Sequence, residues 1–275
     1  MQPLVYISYG MTKCGSTFAF ELVRTGLERA GIDQSPLPAG CGAQGSKINF
    51  ISHVSDDEVA ALAAEAARRG GPVAVKTHTR PDPPLAALLR QGRAVGHAAI
   101  RDPRDMALSM MDHGARAQRD GRPAFSEITD LDAARNGIRN QCDSLTGWLA
   151  LPGMVPLPFG RLVGHSTAVL QGAFAQLGLP MTDAEADATV AQVLDTRFIQ
   201  FNRGRQDRWR TDMAPLEAQA FGAEFAPLFD LLDRSAGLDY PIATPVLGAG
   251  ESLRLPERQE PDRPERAPAQ QETDR

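Results

Sequence analysis

The sequence predicts an α/β protein whose central parallel sheet is covered by helices on both faces. Three observations carry this reading. Short apolar runs alternate along the chain with amphipathic helical stretches. The first run, Leu4 to Tyr9, leads through a turn beginning at Gly10 straight into a helix. Three of the runs end in residues able to bind or react, namely Gly10 to Thr17, Thr77-His78 and Arg101, and open α/β sheets bind ligands at strand ends.

The elements follow in order. Thr17 to Ala30 carries Phe20, Leu22, Val23 and Leu27 at helical spacing, with Gly31 placed to end it. Ser35 to Ser46, rich in Gly and Pro, reads as a loop. Ser55 and Glu58 form a capping-box pattern for an Ala-rich helix running to about Gly70. Val73 to Lys76 is a strand, Leu85 to Arg90 a brief helix, and Ala94 to Ile100 another buried strand. Pro103 suits the first turn of a helix over Asp105 to Met111. Gly114 to Leu131 is polar and weakly periodic and reads as a mobile segment over a site. Helices are expected at Ile138 to Leu149, Thr167 to Leu177, Ala184 to Leu194 and Glu217 to Leu232, with a strand at Arg161 to Val163. Residues 1–248 form one domain; 249–275, rich in Pro, Gln, Glu and Arg, read as a disordered tail.

Composition narrows the function classes. A chain of 275 residues with 42% hydrophobic side chains can bury a sizeable core. No apolar stretch approaches the roughly 18 residues that span a bilayer. No signal peptide is visible before the first strand, so a cytoplasmic protein is expected. A net charge of −5 argues against a general nucleic-acid binder. Cys14, Cys41 and Cys142 lie too far apart for a paired zinc motif or a disulfide framework.

The stretch from Gly10 to Thr17 is the most informative. A glycine turn between a strand and a helix aims backbone N–H groups and the positive helix end at one point, making an anion site. The ATP-type loop is G-x-x-x-x-G-K-[ST], its lysine serving the β- and γ-phosphates. Gly10 and Gly15 keep that glycine spacing, but Ser16 stands where the lysine belongs and Lys13 lies three residues earlier. A cradle with a displaced cation suits a different phosphate group.

Three further groups accompany it. His78 follows Lys76-Thr77 at a strand end; an imidazole with an ordinary pKa near 6.5 can take a proton from a hydroxyl at neutral pH, although most histidines simply cap turns or fill cores. Arg101 and Ser109, eight residues apart in IRDPRDMALSMMDHG, can converge on a second phosphate, with arginine supplying a planar fork of donors. Arg104 and Asp105 fit a solvated network in that turn. Thr196-Arg197-Phe198, then Asn202-Arg203-Gly204 and Trp209, are by themselves a charged loop with aromatic anchors.

Together these residues resemble the 3′-phosphoadenylyl sulfate (PAPS)-dependent sulfotransferases, whose fold is P-loop-NTPase-like, a three-layer α/β/α sandwich. Their loop is of the type P-K-S-G-T-T-W, and TKCGSTF at Thr12 to Phe18 matches it with Lys13 in the lysine position. Lys76-Thr77-His78 is similar to the family's K-T-H, whose histidine is the catalytic base. Arg101 and Ser109 match the R-x7-S pair that binds the nucleotide's 3′-phosphate. Thr196-Arg197-Phe198 looks like the T-S-F adenine contact, and Asn202-Arg203-Gly204 with Trp209 is similar to the R-K-G-x-x-G-D-W element that closes over the nucleotide. The match runs in order from about Leu4 to Tyr240. Cys14 replaces the loop serine, Phe18 the adenine-stacking tryptophan, and Asn202 an arginine. That last change leaves Arg203 and Arg205 for the 3′-phosphate. The family's tyrosine-acid-acid sequence is absent, with Gly164-His165-Ser166 about there.

The resemblance implies sulfuryl transfer from PAPS to a hydroxyl or amine of a small-molecule, carbohydrate or lipid acceptor, releasing adenosine 3′,5′-bisphosphate (PAP), with no metal required. Lys13, His78 and Ser109 would be catalytic. Lys13, Cys14, Gly15, Ser16, Thr17, Phe18, Arg101, Ser109, Thr196, Phe198, Arg203 and Gly204 would bind the nucleotide. Acceptor contacts would come from Ser35 to His53 and Gly114 to Asn136. Cys14 reads first as a small residue replacing serine; the alternative is a thiol at a helix N-terminus beside a lysine, with a lowered pKa and ready oxidation. A kinase or NTPase using ATP–Mg and a non-catalytic nucleotide-binding protein are the alternatives.

Overall fold

The computed structural model describes residues 2–44, 48–123, 125–196, 205–236, 247 and 252–256. Four parallel strands, β1 (Val5–Gly10), β2 (Val73–Thr77), β3 (Ala94–Ile100) and β4 (Met154–Pro158), lie in the order β2-β1-β3-β4. Both faces are covered, which is why the strands are buried along their length and mostly apolar rather than alternating. Val5, Ile7 and Tyr9 point into one core, and Tyr6 into the other.

The first core lies under α2 (Asp56–Arg68), α3 (Pro83–Arg90), α4 (Pro103–Arg119), α5 (Leu131–Leu149), α10 (Pro215–Glu224) and α11 (Ala226–Ala236). The second lies under α1 (Ser16–Arg29), α7 (Ser166–Gln176) and α8 (Asp183–Asp195). Short helices α6 (Phe159–Gly164) and α9 (Trp209–Asp212) complete the described elements. The expected three-layer α/β/α architecture is present. Among the described residues no helix is long and apolar enough to cross a membrane.

Strand order positions the site. The chain leaves β1 towards β2 on one side and leaves β3 towards β4 on the other. Neighbouring strands β1 and β3 therefore send their connections apart, and a crevice opens beyond their carboxyl ends.

Ser55 and Glu58 form the expected capping box on α2, and Thr182 and Glu185 form another on α8. Three expectations are corrected. The last described strand is Met154–Pro158, and Arg161 to Val163 lie in α6; Pro156 and Pro158 are tolerated because β4 is an edge strand, paired among the described residues only with β3. The helix expected over Glu217 to Leu232 breaks after Glu224, where Pro227 at the second position of α11 cannot continue the preceding helix. Gly114 to Arg119 belong to α4, so the intervening loop is shorter and is packed down. His113 meets Phe125 edge-on at 4.7 Å, Ile128 is buried, and a Cβ at Gly114 would lie 2.2 Å from the Ile128 carbonyl oxygen. Of the expected tail, 252–256 are described: Leu253 is buried, its N–H donates to Thr146 Oγ1, and Arg139 holds the Pro256 carbonyl.

His97 illustrates the bland outcome for a histidine. It is buried in the sheet between Tyr6 OH (3.0 Å) and Ser8 Oγ (2.9 Å), and burial pushes its pKa down to about 3.

Candidate active site at the carboxyl ends of the strands

The loop after β1 is a tight turn. The Cys14 N–H bonds the Met11 carbonyl, with Lys13 at φ 68 as the second central residue. This is the type II position that glycine favours, so Lys13 is held in a conformation costing roughly 1–3 kcal/mol. Three contacts hold it there. The Thr12 N–H donates to Gln141 Oε1 at 2.5 Å. Arg101 Nη1 donates to the Lys13 carbonyl at 3.2 Å. The Cys14 thiol turns inward to the carbonyls of Met11 and Ala99.

Cys14 is fully buried, and burial pushes its thiol up to about 12, outweighing the opposing influence of Lys76 and Arg101. The alternative of a low-pKa, oxidisable thiol is therefore corrected, and Cys14 is a small packed residue in the serine's place. Its side chain locks the turn, and its N–H is already spent on Met11.

Gly15 caps α1 in the left-handed conformation at φ 80, with the Phe159 and Leu162 side chains where a Cβ would go. Helices α2, α4, α5 and α8 carry side-chain caps from Ser55, Asp102, Asp130 and Thr182; α1 has no side-chain cap and no acid in its first turn. Its leading amides, from Ser16 and Thr17, lack intrahelical acceptors by position, which suits an external anion. Lys76 is buried and its Nζ lies 2.7 Å from Thr17 Oγ1, bringing a second ammonium beneath this turn.

His78 lies at the end of β2, level with the end of β1. Its Nδ1 is 2.7 Å from the Gly10 carbonyl oxygen. A carbonyl only accepts, so Nδ1 carries the proton and the basic lone pair is on Nε2. Trp148 fixes the turn behind it by donating Nε1–H to the Thr79 carbonyl at 2.8 Å.

Beyond β3 a cavity of about 320 Å³ is lined by Arg101, Ser109, Asp112, Arg116, Arg205, Arg208 and Asp212. The volume is within the range of ligand sites, roughly 300–1,000 Å³. Arg101 is buried, lies 4.2 Å over the Phe159 ring, and donates Nη2 to Asp105 at 3.3 Å and to the Arg205 carbonyl at 2.6 Å. Its Nε is buried without a hydrogen-bond partner among the described residues. Asp105, expected in a solvated turn, is instead 3% exposed, and its Oδ1 accepts the Trp209 N–H at 3.1 Å. Burial raises the Asp105 pKa and lowers that of Arg101, each opposed by the other's charge. Arg104 pairs with Asp102 as expected, and its guanidinium also stacks 3.5 Å from the Trp209 ring.

Lys13 feels this cavity. Its ammonium is pushed down to about 8, chiefly by burial, then by the charges of Arg116 and Arg101.

The structure thus brings together Lys13, Gly15, Ser16, Thr17, His78, Arg101 and Ser109 at adjoining strand ends. Phe18 is buried in the second core, covered by its neighbours. Thr196 ends α8 exposed, its hydroxyl bonded back to the Gln192 carbonyl at 3.0 Å. Phe198, Arg203 and Gly204 lie outside the described residues. Sequence reasoning missed Gln141, Asp112, Arg116, Arg208 and Phe159, and misjudged Asp105. Asp112 and Arg116 had a signal, standing three and seven residues after Ser109 on one face of α4. Gln141 had none.

A parallel sheet with a glycine turn at its switch point is a doubly wound α/β fold. That fold is the one seen in sulfotransferase structures. Mouse sulfotransferase SULT7A1 complexed with PAP resembles this chain with a TM-score of 0.50 at 12% identity, over 85% of this chain and 85% of that one. Retinol dehydratase in complex with androsterone and inactive cofactor PAP gives a TM-score of 0.50 at 13% identity, over 88% and 84% respectively. No family model matches the chain, and no curated protein matches it in sequence.

Proposed function

We propose that this protein transfers a sulfuryl group from PAPS to a hydroxyl or amine of a small-molecule, carbohydrate or lipid acceptor, releasing PAP. One observation carries the reading: a lysine turn, a histidine with its lone pair on Nε2, and an arginine-lined cavity meet at the ends of three adjacent strands. The PAP in both solved relatives supports the nucleotide assignment. The residues fit such a ligand. Two phosphates would find the uncapped start of α1 and the cavity whose Arg101 Nε–H lacks a partner among the described residues.

In this reading Ser16 and Thr17 amides hold the 5′-phosphate, and Arg101 with Ser109 holds the 3′-phosphate. His78 Nε2 takes the proton from the acceptor as its oxygen or nitrogen bonds to sulfur. The sulfur–bridging-oxygen bond breaks, and its electron pair leaves with PAP. Lys13, mostly charged at pH 7, faces the negative charge that grows on that oxygen. The protein's contribution is positioning and electrostatic stabilisation, as in phosphoryl transfer.

The test is PAP release from PAPS across an acceptor panel, paired with calorimetry. Release should depend on an acceptor, and His78→Ala should abolish it while still binding PAP. Normal turnover by His78→Ala would remove the base. Tighter binding of ATP–Mg than of PAP would overturn the nucleotide assignment.

A further inference from the structure

The four arginines of the cavity are not equivalent. Arg101 is committed to Asp105, and Arg208 lies between Asp112 (2.5 Å) and Asp212 (2.6 Å). Arg116 and Arg205 make no side-chain ion pair or hydrogen bond among the described residues. Arg205 is exposed in the segment before α9, whereas Arg116 is half-buried on a 17-residue helix. Two arginines against three acids leave no net positive charge in the paired set. The positive charge that an incoming anion would meet therefore comes from the two unpaired guanidinium groups, and only Arg116 is on a rigid wall.

Its placement suits that role. Ser109 and Arg116 are seven residues apart on α4, two turns along one face and roughly 10 Å in rise. A long side chain from Arg116 can lean towards the N-terminal turns of its own helix, the direction in which helical side chains point. Both residues line the same cavity with Arg101.

We propose that Arg116 is a binding residue for a phosphate monoester dianion in this cavity, supplying from α4 the guanidinium fork that opposes the one from Arg101. The inference rests on the nucleotide reading above, in which the dianion is the 3′-phosphate. Arg101 gives direction and Arg116 gives uncompensated charge, so neither replaces the other. Asp112 sits between Ser109 and Arg116 in sequence and keeps Arg208 aside, so Arg208 does not substitute for Arg116.

The experiment measures the affinities of PAP and adenosine 5′-phosphate for the wild-type protein, Arg116→Gln, Arg116→Lys and the exposed control Arg119→Gln. In the wild type the ratio of the two affinities reports the 3′-phosphate. Arg116→Gln should reduce that ratio roughly 10- to 100-fold, the worth of a charge-assisted hydrogen bond. Arg116→Lys should recover part of it, and Arg119→Gln should leave it unchanged. An unchanged ratio in Arg116→Gln, or equal weakening of both ligands, would overturn the assignment. A wild-type protein that fails to distinguish the ligands would instead overturn the nucleotide reading.

Discussion

The Thr12 N–H points at Gln141 Oε1, 2.5 Å away across 129 residues of sequence. Gln141 is oriented by its own helix, since its Nε2 donates to the Gly137 carbonyl at 2.8 Å. Seven residues on, along the same face of α5, Trp148 holds Thr79. One helix thus clasps both the turn that carries Lys13 and the turn that carries His78.

Gln141 should therefore act on Lys13 without touching a reacting group. Gln141→Leu leaves the Thr12 N–H unpaired, which costs about 1–3 kcal/mol and allows the turn to relax away from φ 68. We expect kcat to fall roughly 10- to 100-fold with a smaller change in PAP affinity. Gln141→Glu keeps the acceptor but loses the donor that orients it on the Gly137 carbonyl, and should restore only part of the rate. Equal kcat in Gln141→Leu and wild type would rule out this positioning role.

Lys13 predicts a pH dependence of nucleotide binding. Its pKa of about 8 belongs to the unliganded protein, and an anion beside it raises that value in the complex. Below pH 8 both states are protonated and affinity is insensitive to this group. Above pH 8 binding must take up a proton, so PAP affinity falls as pH rises, by at most about tenfold per unit. Calorimetry in buffers of different ionisation enthalpy should show proton uptake near pH 9 that Lys13→Met lacks. Flat affinity from pH 7 to 9.5 would exclude Lys13 from the anion site.

Cys14 shows where sequence reasoning succeeds and where it stops. The spacing Gly10–Gly15 and the position of Lys13 are backbone features, and both emerged where the sequence placed them. The direction of a side chain is not encoded by spacing. The thiol points between two carbonyls into the sheet, and only the packed structure shows that burial defeats the helix end and the nearby cations. Asp105 was misread for the same reason: a carboxylate in a turn looks solvated until Trp209, 104 residues later, closes over it. The fold was more legible because apolar runs and capping residues such as Ser55 and Thr182 act locally. The misplaced last strand was the exception, its prolines tolerated because among the described residues no strand lies beyond it.

All three cysteines are buried, so native protein should resist alkylation. Iodoacetamide is expected to label none of them until denaturant is added, and peroxide that spares methionines should leave activity intact. Rapid native labelling at Cys14, read by peptide mass, would restore the redox-sensitive thiol.

Asp105 offers the sharpest test of how the site is assembled. Its carboxylate holds Arg101 with one oxygen and the Trp209 N–H with the other, joining the end of β3 to the start of α9. Asp105→Ala leaves a buried guanidinium without its counter-charge and a backbone donor without its acceptor. Removing one partner of a buried pair costs about 3–5 kcal/mol, so the unfolding midpoint in urea should drop by a corresponding amount. PAP affinity should fall as well, because the Arg205 carbonyl that helps orient Arg101 belongs to the segment Asp105 tethers. In an Arg101→Met background the stranded charge is gone, and Asp105→Ala should cost at least about 1 kcal/mol less than it does alone. Identical costs in the two backgrounds would mean that Asp105 supports α9 only, and that Arg101 is held by the carbonyls of Lys13 and Arg205.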